Sequence, residues 1–116
     1  MFLDTGISQI INFLSTDITH GALGTDNTTS TPSDTALGAE VSATVTTVTN
    51  EVSGKQLTTT FTKPSTVSSG TTFKEYTMRD SSSGTGNHYI RFVIPATAAT
   101  TSEDWTIKTR FTVETI

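Results

Sequence analysis

Cysteine is missing from this chain, so neither a disulfide framework nor a thiolate metal site can be built. Charge is sparse: 16% of residues, with 7 basic against 11 acidic and a net charge of −4. The basic residues are scattered, and an acidic chain without a Lys/Arg surplus is a poor match for nucleic acid, whose affinity comes from neutralising phosphates. No run approaches the roughly 20 apolar residues of a membrane-crossing helix. The opening Met1-Phe-Leu-Asp-Thr lacks the basic n-region of a secretory signal. Histidine, the scarce component of a Ser-His-Asp triad, occurs twice, at His20 and His88.

Threonine and serine take the place of charge, together about a third of the 116 residues, where charged residues ordinarily make up about a quarter. Threonine is β-branched and favours strands, and its hydroxyl keeps an exposed strand face wet. That composition is usual for extracellular or particle-surface β domains. The length fits one domain spanning 1–116, large enough to bury about 65% of the surface of the unfolded chain.

Residues 5–15 have helical spacing: Ile7, Ile10, Ile11 and Leu14 follow i, i+3, i+4, i+7, with Asp4 or Thr5 as cap. About three turns are not stable alone. The helix is therefore expected to cover an open end of a β core or, in a sharper reading, to dock on a neighbouring subunit. The rest reads as strands. Ile18–Leu23 is short and apolar. Val41, Ala43 and Val45 alternate until Val48 shifts the phase, which predicts a bulge near Thr46–Thr47 and a hairpin over 41–63 that turns at Asn50–Gly54. Leu57, Thr59 and Phe61 share a face, and Pro64 ends that strand. Further strands follow at Thr71–Arg79 and His88–Ile94, with a loop from Pro95 to Ser102. Trp105, Ile107, Thr109, Phe111 and Val113 then hold strict period two. The expected fold class is all-β: an antiparallel, jelly-roll-like β-sandwich with one short N-terminal amphipathic helix.

The segment Ile18–Val41 holds no cluster of acids, bases or nucleophiles that reads as a reaction centre. A long Thr/Ser loop leaves a short strand and re-enters at Asp34, Ala36 and Leu37. Asp34 is expected to turn back onto the backbone after Pro32-Ser33. Asp26-Asn27 could open an oxygen-ligand calcium loop, but the D-x-[DN]-x-[DN]-G pattern is absent. Asn27-Thr28-Thr29 is a formal glycosylation acceptor. Neither histidine sits in G-x-S-x-G or H-E-x-x-H. Glu75, in mid-strand between Lys74 and Tyr76, reads as a salt-bridged strand carboxylate. A hydrolase would need it, or Glu103, to face a second carboxylate across a cleft. Tyr76, Tyr89 and Trp105 could form a stacking platform for sugars if exposed. No catalytic residue, cofactor or metal is expected.

Three segments together carry a resemblance. His20-Gly-Ala-Leu-Gly-Thr25, then Pro32-Ser-Asp-Thr-Ala-Leu37 and Glu40-Val41, is one; Phe73-Lys-Glu-Tyr-Thr-Met78 is the second; and the third runs from Arg91-Phe-Val-Ile-Pro-Ala through Asp104-Trp-Thr-Ile107 to Phe111. In order and spacing they resemble small virion structural proteins of tailed phages and tailed archaeal viruses: tail-fibre-like or tail-appendage proteins, or capsid decoration proteins. The chain departs from that pattern at Gly21, at Thr77 in place of a glycine, and at Ala99 or Thr100 in place of a lysine. The change at Thr77 bears on a local turn after Tyr76.

The resemblance implies a non-enzymatic subunit of the virion surface, made in the host cytoplasm. Its partners would be itself and major capsid or tail proteins, with neither nucleic acid nor membrane among them. A closed homo-oligomer is expected, a trimer first. Subunit contacts are expected from Ile7, Ile10, Ile11 and Leu14 of the helix and from Asp26, Asn27, Thr28 and Thr29 of the loop. The alternative reading is a carbohydrate-binding module for host surface glycans, with Tyr76, Tyr89 and Trp105 in contact.

Overall fold

A computed structural model of the chain describes residues 3–114. Helix α1 (Asp4–Asp17) is followed by seven strands: β1 (His20–Gly24), β2 (Thr46–Thr47), β3 (Thr49–Ser53), β4 (Gln56–Lys63), β5 (Thr72–Arg79), β6 (His88–Ala98) and β7 (Trp105–Thr112). All pairings are antiparallel. One sheet runs β2-β1-β5-β6 and the other β3-β4-β7. The fold is therefore the expected all-β, sandwich-like one with an N-terminal helix.

Period two sets what each strand buries. Leu57, Thr59, Phe61 and Lys63 of β4 point inward, and Ile107 and Phe111 of β7 face them in register. Phe73, Tyr76 and Met78 come from β5, with the rings of Phe61 and Tyr76 packed at a tilt, 5.2 Å apart. The step from Phe73 to Tyr76 breaks the alternation, and the ladder between β5 and β6 shifts register there.

Several expectations are corrected. The phase change at Val48 is a sheet crossing and not a bulge. Thr46–Thr47 pairs with β1, and Thr49–Ser53 pairs with β4 in the other sheet. The hairpin is thus 49–63, turning at Gly54 with φ +59°. Val41–Val45 forms no strand. Ser42–Thr44 is a 3-10 turn whose Thr44 hydroxyl, buried, accepts from the Leu23 amide at 2.9 Å and donates to the Val41 carbonyl at 2.7 Å. Pro95 does not end its strand. It lies in β6, which has one neighbour among the described residues, at the register shift opposite Lys74, where its missing amide costs no ladder bond. Thr77 lies within β5 and no turn follows Tyr76.

The helix lies against β3 and β4. It buries Ile7 and Ile11 completely and Leu14 in part, whereas Ile10 remains exposed. Of the eight expected subunit contacts, then, Ile7 and Ile11 belong to the chain's own core and Leu14 packs against it. The residue before the first turn is Leu3, not Asp4 or Thr5, and among the described residues no side chain caps the helix. Asp4 instead reaches Lys55 at 2.9 Å, an exposed pair worth about 0–1 kcal/mol. At the other end Asn50 Nδ2 donates to the carbonyls of Ser15 and Ile18, and its Oδ1 accepts from the Thr59 hydroxyl. One strand amide thus fastens the helix end, where carbonyls lack helical partners, to the sheet.

Tyr76 is fully buried, and among the described residues its hydroxyl finds no partner. Desolvation pushes its ionisation upward. A buried donor left unmade costs about 1–3 kcal/mol. Tyr76→Phe is therefore expected to raise stability by about 1 kcal/mol. Urea unfolding checks this, and a lower midpoint would mean the hydroxyl has a partner after all.

Candidate functional site: the anchored loop

Strand β5 carries bulky apolar side chains on one face and Glu75, Thr77 and Arg79 on the other. All three are fully buried. What covers them is the chain between β1 and β2, chiefly residues 25–41, which crosses the outer surface of this sheet. The candidate surface is that loop.

The Glu75 carboxylate is its anchor. Oε1 accepts from the Gly38 amide at 2.8 Å and from Arg91 Nε at 2.9 Å. Oε2 accepts from the Asp26 and Ala39 amides, both at 2.9 Å. Two segments of the loop, twelve residues apart in sequence, thus hang from one side chain. The approach is so close that a Cβ at Gly24 would meet the Glu75 carboxylate, and one at Gly38 would meet that of Asp26. Glycine at both positions is what lets the backbone reach the charge.

Arg91 on β6 completes the arrangement, its side chain 7% exposed. Beyond Glu75, Nη1 donates to the Thr28 carbonyl at 2.8 Å and to Asp34 Oδ2 and Ser30 Oγ at 3.3 Å each. Nη2 lies 3.9 Å from Asp26 Oδ2. Planar, forked and always charged, guanidinium is suited to this many acceptors at once. Three acids thus gather about an arginine. The positive centre that a calcium reading of Asp26-Asn27 requires is supplied by Arg91.

Asp26 and Asp34 also organise the loop locally. Asp26 Oδ1 accepts from the amide (2.9 Å) and hydroxyl (2.7 Å) of Thr28. Asp34 accepts from the amide and hydroxyl of Thr31, and the Asp34 amide returns a bond to the Thr31 carbonyl. The expected turn-back of Asp34 is present. These bonds to Thr28 and Thr31, followed by the nearby Arg91 charge, hold both carboxyls below their ordinary 3.8. At the loop's end Glu40 pairs with buried Arg79, whose other donors go to the carbonyls of Ser81 and Ser82. One arginine therefore joins this loop to the 80–87 connector.

The remaining sequence candidates are dispersed. Asn27, Thr28 and Thr29 are exposed on the loop crest. His20 Nδ1 lies 2.8 Å from the Thr19 hydroxyl. His88 sits between the Thr77 hydroxyl at 3.0 Å and the Gly84 carbonyl at 3.2 Å. Glu103 is exposed in the connector before β7. The three aromatics share no platform. Tyr76 is in the core. Tyr89 lines a polar cleft of 280 Å³ beside Asp34 and His88, with its hydroxyl on Asp17 of the helix. Trp105 lines an apolar groove of 360 Å³ between the edge strands β6 and β7, edge-on to Phe73 and beneath the Lys63 ammonium.

Glu75, which could have served a hydrolase, has both lone pairs of each oxygen filled by protein donors, so it has no acceptor position left for a substrate proton. Arg91, Arg79 and Glu40 escaped the sequence reading. Their only signal was a long loop facing a strand with alternate charged residues.

No family model, curated protein or solved structure matches this chain.

Glu75→Gln replaces one acceptor oxygen with a donor facing other donors and leaves Arg91 short of charge. It is expected to cost about 3 kcal/mol in urea unfolding. Glu103→Gln, exposed, should stay within about 0.5 kcal/mol. For pH, a carboxyl whose folded value lies below its unfolded one stabilises above the unfolded value and loses that contribution as pH falls through the folded one. Acidification below 3.8 should therefore release the loop first. In NMR spectra the Thr28 and Thr31 amides should move toward random-coil positions before those of Leu57 and Phe61.

Proposed function

We propose that this chain is a non-enzymatic structural subunit of a virus particle, a capsid decoration or small tail-appendage protein that associates with itself and binds the particle surface. The observation that carries this reading is the anchored loop. A long segment without strand or helix, from Asp26 to Ala39, is held from below by Glu75 and Arg91, while its crest, residues 27–36, faces solvent. A surface ordered before contact loses little conformational entropy when it docks, which suits a part that must sit in one fixed place on a lattice. The crest is rich in hydroxyls and amides, groups that make many directional bonds to a neighbouring protein surface.

The resemblance of the three segments to tailed-virus virion proteins supports the same reading, and so does the Thr/Ser-rich, charge-poor composition. The partners are the chain itself and a major capsid or tail protein. A glycan-binding role loses its proposed platform, since Tyr76 is buried and Tyr89 and Trp105 lie in separate grooves.

The test uses particles of the encoding virus stripped of this protein. Purified chain should sediment with them, and immunogold labelling should place it on head or tail. Arg91→Ala should weaken binding by about tenfold by loosening the crest. Protein that stays wholly in the supernatant with both head and tail preparations would overturn the proposal.

A further inference from the structure

We infer that the open side of the sandwich, where the edge strands β6 and β7 face each other, is a seat for an extended segment of another protein. That segment alternates apolar and acidic residues and adds to β7 as a further strand of its sheet. The core is closed elsewhere and open on this side. On β4 the inward Leu57 and Phe61 are fully buried. Their register partners on β7, Phe111 and Ile107, are only half-buried, and so is Trp105. Across the gap, Phe92 pairs with the core residue Tyr76 and so lies on the inner face of β6, yet it is 38% exposed. Between the two edges runs the apolar groove of 360 Å³, lined by Ile94, Pro95 and Thr97 from β6 and by Trp105, Thr106 and Ile107 from β7.

The backbone calls for a strand. β7 is in register with β4 along its whole length, Trp105 to Thr112. In such an antiparallel ladder every second residue turns its N–H and C=O away from the neighbour. Among the described residues no strand takes up those groups on β7. A row of unpaired main-chain groups beside an apolar groove suits an extended peptide: main-chain bonds hold it, and alternate side chains fill the groove. Of the two edges β7 is the better template, because β6 is interrupted by a register shift and by Pro95, which has no amide to offer.

Charge selects the occupant. Lys108 and Arg110 are exposed on the outer face of β7. Among the described residues the ion pairs engage Lys55, Arg79 and Arg91, and neither Lys108 nor Arg110. Buried Lys63, whose ammonium lies 5.4 Å over the Trp105 ring, binds only the carbonyls of Pro64 and Val67. Three cations thus gather about β7 in a chain whose net charge is −4. The nearby acids lie beyond the strand ends: Glu103, Glu114 and Asp104, the last accepting from the Ser65 amide. A strand laid beside β7 sets its outward side chains across from Lys108 and Arg110, where carboxylates are favoured, and its inward ones over Ile107 and Trp105. A second copy is a poor occupant. Two β7 edges brought together would oppose Lys108 and Arg110 to themselves, and charged edge residues of this kind guard against self-pairing. The seat belongs to the isolated chain and does not rest on the virion reading.

The probe is a peptide of alternating valine and glutamate, as long as β7 and blocked at both ends. Trp105 is the one tryptophan of the chain, so covering the groove should shift its emission to the blue. In an NMR titration the amides of Ile107, Thr109 and Phe111 should move and those of Thr28 and Thr31 should not. The same peptide with lysine for glutamate should bind about tenfold more weakly. The double variant Lys108→Glu, Arg110→Glu, altered only at exposed positions, should reverse that preference. If it fails to fold, Lys108→Glu alone should narrow the preference to about threefold. A peptide with all its valines before all its glutamates should not bind, since no face of it is then apolar throughout. No binding at about 1 mM peptide, equal binding of the two charge types, a preference unchanged in the variants, or shifts confined to the loop would each overturn the inference. So would dimerisation of the chain that moves the same β7 amides without peptide. Peptide binding by a chain that ignores virus particles, or the reverse, separates this inference from the virion proposal.

Discussion

A carboxylate shut away from water must find a donor for each of its lone pairs, and the outer half of this molecule is arranged around that demand. Glu75 finds three donors in the backbone of the 25–41 loop and the fourth in Arg91. Breaking one partner out of such a buried group costs several kcal/mol. The loop therefore cannot leave in pieces: release of the Asp26 amide leaves the charge short of a donor while Gly38 and Ala39 still hold it. The result is a stretch of irregular chain tied at both ends to one strand carboxylate. Arg91 extends the same constraint outward, because its remaining donors bind the parts of the crest that Glu75 cannot reach.

This arrangement gives the sheet two dissimilar faces. Toward the sandwich, β5 offers Phe73, Tyr76 and Met78 to a dry core. Toward the loop it offers Glu75, Thr77 and Arg79, equally buried but satisfied by hydrogen bonds and ion pairs. A small domain gains from such a division. Its buried apolar side chains are concentrated between the sheets and under the helix. The loop is held by directional bonds whose geometry admits few alternatives. Arg79 then couples the loop to the 80–87 connector through Glu40 on one side and two carbonyls on the other.

Sequence reading succeeded where a local period decides the structure. The alternation of β7, the inward face of β4 and the helical spacing of 7, 11 and 14 were all visible, because burial on one face repeats at two or 3.6 residues. It failed where two elements distant in sequence compete for a segment. Nothing near Val48 marks a sheet crossing rather than a bulge, since both shift the phase by one residue. Pro95 reads as the start of a loop because an edge position cannot be told from a central one before the strand order is known. At the candidate site, Asp34 was legible from its own turn chemistry, whereas its partner Arg91 lies 57 residues away and looked like an ordinary outward residue of β6.

The helix shows the same limit from the other side. Its apolar residues cover more than one face, and periodicity alone merges Ile7, Ile10, Ile11 and Leu14 into one stripe. Packing separates them. The sheet takes Ile7 and Ile11 and leaves Ile10 outside with Leu3 and Phe13. A helix serving only to close the end of the core would need no apolar residue on that second flank, and threonine or glutamine there would cost it nothing in core contacts. Keeping Leu3, Ile10 and Phe13 in solvent is a liability for an isolated monomer.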